Sequence, residues 1–253
     1  MPVKRAILSE PLTKTHIPNW HCPACAGGYL KHKPDALHFS ETSESRKSHD
    51  HEAWDPDWTD YKFSALLVCN NDRCQEPVVV SGVGKVDLVQ TSDDGDYDYV
   101  EFFYANYVNP SPALIALSPS YPSEVILELK KSFVASWGDY SAAGNHVRAS
   151  VERLLDHLKE PKTKLGKSGK RERLSLHIRI LGLARRDKDL SDALLAAKWL
   201  GNAGSHTDDL TQNDVCDALD ILESVLDDLF VRHKARLKKL VAAINRKKGP
   251  AKK

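Results

Sequence analysis

Nowhere does this sequence join the roughly 18 apolar residues that a membrane-spanning helix needs. Its N-terminus, MPVKRAILSEPL, has no apolar stretch of the kind a secretory leader carries. Both absences point to a cytoplasmic chain with no membrane contact, a setting in which disulfides are rare. Catalytic signatures are missing too. No GxSxG elbow, Walker loop, GxGxxG turn or HExxH pair occurs. That argues against a hydrolase triad, an NTPase, a dinucleotide enzyme and a zincin. There is no RNP-type aromatic motif and no recognition-helix signature, so sequence-specific nucleic-acid readout has no support.

What the chain does hold is enough apolar material for real cores: 41% of its 253 residues are hydrophobic and 28% charged. This excludes a wholly disordered or collagen-like chain and suits one large or two modest domains. The net charge of +1 conceals a split. Residues 1–140 carry 12 Lys+Arg against 20 Asp+Glu, a net −8, and residues 141–253 carry 24 against 15, a net +9. Such a split predicts two units with different surfaces, which attract each other, dock a partner chain head to tail, or turn the basic half toward a polyanion.

The front half has β character. Tyr61–Cys69 (YKFSALLVC) and Tyr97–Tyr107 (YDYVEFFYANY) predict strands, and Pro77–Leu88 (PVVVSGVGKVDL) predicts a hairpin turning at Gly82-Val83-Gly84-Lys85. Residues 31–60 are polar and His-rich and predict a long loop; the acidic run Asp93–Asp98 predicts a solvated turn. After Pro110, Pro112, Pro119 and Pro122 the apolar spacing becomes helical. Helices are predicted over 123–136, 141–158, 174–183 and 190–200, with a basic Gly/Pro loop over 160–173. A last helix is predicted from Thr211 to about residue 245, opened by a capping-box-like Thr211/Asp214 pair. The tail, 246–253, is expected to fray.

Four of the five cysteines form two turns, Cys22-x2-Cys25 and Cys69-x4-Cys74. Two short turns that each supply two thiolates meet the tetrahedral preference of Zn²⁺, and four thiolates leave no open position for catalysis. A structural zinc is therefore expected, clamping a small β unit with little core of its own. Four reduced thiols in a β core, or a redox pair, are the alternatives. The 43 residues between the pairs fit a ribbon only if 31–60 loop out. His16, His21, His32, His38, His49 and His51 compete as ligands, though polar loop histidines are most simply solvated. Cys216, on the last helix, reads as a buried thiol.

The helical half resembles a known family. Lys198–His206 (KWLGNAGSH) is similar to the signature of the HEPN-like "domain of unknown function 4145" family, a helix ending in a basic residue, Gly-Asn, small residues and His. Arg148 and Glu152 match that family's Arg-x3-Glu pair. The order of elements over about residues 110–240 agrees, and the cysteine turns followed by VVVSG resemble the front of many relatives. The resemblance implies a HEPN-like bundle, dimers, and nucleic-acid-linked roles near restriction and phage-defence systems. Active HEPN ribonucleases carry an Arg shortly before the His, and here the position before Asn202 is Gly201. The resemblance then leaves His206, Asn202, Lys198, Arg148 and Glu152 as candidate catalytic residues. Their plain physical reading is structural: Gly201 and Gly204 as a helix end with φ > 0, Asn202 bonding exposed backbone groups, and Arg148–Glu152 as an i,i+4 pair that could be buried.

Lys162, Lys164, Lys167, Lys170, Arg171 and Arg173 make the basic loop a candidate phosphate-binding surface, seconded by Arg232, Lys234, Arg236, Lys238 and Lys239. A solvated face explains such a run equally well. The expected fold class is α+β: a small zinc-bound antiparallel β unit over 1–108, a HEPN-like all-α bundle over 109–245 and a basic tail. The expected function is a non-catalytic nucleic-acid- or partner-binding protein associated with phage defence or restriction. A metal-independent HEPN-type ribonuclease and a zinc-stabilised interaction scaffold are the alternatives. Expected partners are RNA or DNA, a second copy of the chain, and a defence or restriction protein.

Overall fold

The structure is a computed structural model. It describes residues 3, 5–25, 27–91, 95–167, 169–203, 210–231 and 233–249, with backbone alone at 202–203 and 233–239. The chain divides into two compact units: Lys4–Leu114 with Phe133–Tyr140, and Met1–Val3 with Ile115–Ser132 and Ser141–Lys253. The first is β and the second helical, so the class is α+β.

The β unit is a four-stranded antiparallel meander of β1 (Leu30–Glu41), β2 (Asp60–Cys69), β3 (Pro77–Gln90) and β4 (Tyr97–Asn109), in chain order. Period-2 alternation selects its inner face. Phe63, Ala65 and Leu67 on β2, Val78 and Val80 on β3, and Phe103 and Val108 on β4 are buried together with Leu12, Trp20 and Trp137. Trp20 and Trp137 meet edge to face at 4.8 Å.

Two expectations fail here. Residues 31–60 are not a loop: 30–41 form β1, followed by the short α1 (Ser43–Ser48), capped by Thr42, and a 3-10 turn at Pro56–Trp58. The strand was hidden because it is an edge strand and buries little besides Leu30, with Leu37 and Phe39 half-buried. Its register breaks between His32 and Leu37, where Pro34 has no amide to donate to the ladder. Pro77–Leu88 is not a hairpin either, since β3 runs straight through Gly82 and Gly84. A Cβ on Gly82 would lie 2.0 Å from the Tyr104 carbonyl oxygen, beside a bulge in the β3–β4 pairing. These glycines admit a close neighbour rather than a turn.

The helical unit contains α2 (Ser123–Ala135, whose last residues group with the β unit), α3 (Tyr140–His157), α4 (Leu176–Leu183), α5 (Lys188–Ala203), α6 (Gln212–Leu226) and α7 (His233–Lys247). The predicted stripe on α3 is real: Val147, Val151, Leu154 and Leu155 are fully buried. So is that on α6, with Val215, Leu219, Leu222 and Leu226 buried beside Cys216. Thr211 and Asp214 form a complete capping box at the start of α6. The last helix is not continuous, because a π turn over Asp227–Val231 separates α6 from α7. The basic stretch 160–173 is not wholly loop, as β5 (Thr163–Leu165) and β6 (Arg171–Arg173) pair into a small hairpin.

Candidate functional site

The two cysteine turns become neighbours through the β1–β2 pairing. β1 leaves the first turn at Leu30 and β2 returns to Cys69, its register partner. A long intervening segment thus runs out as one strand and back as the next. The first turn is closed by the Cys22 N–H donating to the Gly28 carbonyl at 2.8 Å, the second by the Cys69 N–H donating to the Glu76 carbonyl at 3.0 Å. They are tied to each other by the Tyr29 N–H donating to Asn70 Oδ1 at 2.8 Å.

All four sulfurs lie within 4.8 Å of one another. Cys22 and Cys74 stand at 3.7 Å, as do Cys25 and Cys69. The surrounding groups are donors. Amides of Ala24 and Asn71 approach Cys22 and Cys69 at 3.4 Å each, and Asn71 Nδ2 approaches Cys25 at 3.8 Å. The Gly27 amide draws the Cys25 thiol down to about 6, despite its burial, whereas burial pushes Cys69 up to about 12. Such a set stabilises thiolate at one sulfur, and a bound cation would displace the protons held by the others. These four cysteines could hold a metal ion. Among the described residues no histidine joins them. His21 lies against Tyr29, His32 bonds the Thr13 carbonyl oxygen and His49 pairs with Glu41.

In the helical unit, Lys162, Lys164, Lys167, Lys170, Arg171 and Arg173 are all exposed on or beside the β5–β6 hairpin. Among the described residues only Lys162 of the six makes an ion pair, with Asp156 at 2.8 Å. Arg171 donates to the Thr163 hydroxyl across the hairpin at 3.1 Å.

The candidate catalytic residues are only partly brought together. His206 lies outside the described residues, as do the Asn202 side chain and Gly204. Arg148 and Glu152 pair at 3.6 Å but are 40% and 38% exposed, so the pair is not a buried one and contributes little. Lys198 is 7% exposed with its ammonium over the Trp199 ring, 3.4 Å from the centroid, and burial followed by the nearby Arg148 charge lowers its pKa. Gly201 ends no helix. It lies inside α5 with its backbone against α3, where an added Cβ would stand 2.7 Å from the Gly144 carbonyl oxygen and 3.1 Å from Arg148 Cβ. An arginine does not fit at that crossing. Sequence reasoning missed this contact because nothing local marks a glycine that faces another helix.

Residues 130–247 match the family model described as a domain of unknown function, DUF4145. Residues 10–111 match a second one, domain of unknown function DUF8608. The front and helical segments thus match separate family models. Searches of curated proteins and of solved structures find no significant match.

Proposed function

We propose that this protein is a zinc-stabilised, non-catalytic nucleic-acid-binding protein, with a HEPN-like helical unit as its binding part. The observation that carries the reading is the β5–β6 hairpin, whose six cations are exposed and, Lys162 apart, make no ion pair among the described residues. A solvated basic surface of this kind favours phosphates through counterion release, without base readout.

Zinc is supported by donor type and spacing. Sulfurs bound to one tetrahedral Zn²⁺ at about 2.3 Å stand about 3.8 Å apart; here Cys22–Cys74 and Cys25–Cys69 stand at 3.7 Å and all four sulfurs lie within 4.8 Å. Four thiolates saturate the ion, so its role is structural. The absence of cleavage is supported by Gly201, which fills the place of the arginine of HEPN ribonucleases at a crossing with no room for one. The burial of Lys198 leaves that cation poorly placed to meet a substrate. A second copy is the partner suggested by α7, where Leu240, Val241 and Ile244 are exposed on a helix otherwise rich in Lys and Arg. The setting in phage defence or restriction rests on the family resemblance alone.

The test is binding and cleavage of a labelled RNA and DNA pool across a salt series, with light scattering to count chains. Wild type should bind without cleaving. The triple variant Lys164→Glu/Lys167→Glu/Lys170→Glu should weaken binding at least tenfold and reduce the log–log salt slope by about 2–3. Cleavage lost in His206→Ala would overturn the non-catalytic reading in favour of the ribonuclease. Binding untouched by the triple variant would remove the hairpin from it.

A further inference from the structure

At the foot of the β5–β6 hairpin, α3, β6 and the start of α4 line a half-open cavity of about 560 Å³. Five cations line it: Arg148, Arg153, Lys162, Arg173 and Arg179. Two carboxylates, Glu152 and Asp156, share the lining, and both are already engaged. Glu152 faces Arg148 at 3.6 Å, while Asp156 takes Lys162 at 2.8 Å and Arg179 at 2.7 Å. Five positive and two negative groups leave the cavity three charges positive, and neither Arg153 nor Arg173 forms an ion pair among the described residues.

Two of these arginines, the buried Arg179 and the 40% exposed Arg148, are incompletely satisfied by the protein. The Nε atoms of Arg148 and Arg179 are buried and have no hydrogen-bond partner among the described residues. Arg179 is 8% exposed and is held in place by Asp156 and by the Glu160 carbonyl oxygen. Both guanidiniums thus carry donor capacity that the described residues do not use. The cavity also reaches Ser175 and Leu176, the first turn of α4, where the Ser175 hydroxyl accepts from the Ile178 amide. That end of a helix adds partial positive charge.

We propose that this cavity binds a phosphate monoester of nucleotide size, either the phosphorylated end of a nucleic-acid strand or a free mononucleotide. The volume falls among small-ligand sites and is too small to admit a duplex. A monoester carries close to two negative charges near neutral pH, against one for a backbone diester, and so matches the excess of three better. Planar guanidinium forks suit its oxygens. The inference rests on the reading of the helical unit as a phosphate-binding surface, and assigns it a discrete end-recognising pocket beside the hairpin.

The experiment uses the whole 253-residue chain and fluorescently labelled single strands ending in 5′-phosphate, 3′-phosphate or hydroxyl, with adenosine monophosphate and inorganic phosphate as competitors at fixed salt. At least one phosphorylated end should bind about tenfold tighter than the hydroxyl-ended strand. The preference should shrink in Arg153→Ala, an exposed position, and in Arg179→Lys, which keeps the charge and loses the fork; far-UV circular dichroism identifies any variant that fails to fold. Competition by the monophosphate at strand-like concentrations would identify a free nucleotide as the ligand, whereas competition only by phosphorylated strands would identify the strand end. Equal affinity for all ends, with no binding of the monophosphate, would overturn the pocket while leaving the hairpin reading intact. Monophosphate binding without strand binding would do the reverse.

Discussion

Single glycines decide more here than their number suggests. Gly28 closes the first cysteine turn, and a Cβ there would lie 2.5 Å from Cys69 Sγ. Gly28→Ala should therefore displace one of the four clustered sulfurs. If the four cysteines hold zinc as proposed, zinc per chain, measured by elemental analysis of the purified protein, should fall from about one to well below half. Full retention of zinc would show that the turns can give way. Gly201 has the corresponding place in the helical unit, where α5 touches α3. Gly201→Arg, which would place there the arginine that active HEPN ribonucleases carry, should instead cost about 3 kcal/mol or more through overpacking, read as a drop in the urea midpoint. A stable variant would contradict the packing argument, whereas new ribonuclease activity in it would support the missing arginine as the reason wild type does not cleave.

At the scale of elements, the link between α3 and α4 is electrostatic as well as apolar. Asp156 on α3 lies between Lys162 and Arg179. Burial pushes its carboxyl up, but the two cations together hold it below the usual value. Glu128 on α2 behaves alike: burial raises it, and Lys131 and His146 more than offset the rise. Carboxylates depressed in the folded state add stability that is fully present above their unfolded values, about 4, and is lost as pH falls through the folded ones. The helical unit should thus lose stability below about pH 4. Asp156→Ala leaves Arg179 buried without its carboxylate and should cost about 2–3 kcal/mol at pH 7. Urea titrations of wild type and variant should converge as the pH drops toward 3; a constant gap down to that pH would mean the pairing contributes nothing.

For the whole molecule, the division into two compact units gives metal removal a direction. The β unit's inner face includes the cysteines themselves, Cys22 and Cys69 being buried within it. Chelation should abolish its cooperative melting while the helical signal at 222 nm retains most of its amplitude. Loss of both together would show that the helical unit depends on the cysteine-bearing one. No helix among the described residues is long and apolar enough to cross a membrane.

Period, caps and cysteine spacing are legible in the amino-acid sequence by itself. The amphipathic stripes on α3 and α6, the Thr211/Asp214 box, the β2 and β4 strands and the four-cysteine set all follow from local chemistry written in neighbouring residues. What tertiary structure alone decided depends on residues far apart in the chain. β1 exists because β2 offers it an edge, although its own residues are mostly polar. Gly82 and Gly201 are glycines because Tyr104 and Gly144 come close, not because the chain turns there. The cavity around Arg179 collects charges from α3, the hairpin and α4 that no local pattern joins. Local propensity is set by a few adjacent residues, whereas close approach and charge convergence are set by how distant segments pack, and a single sequence does not record those distances.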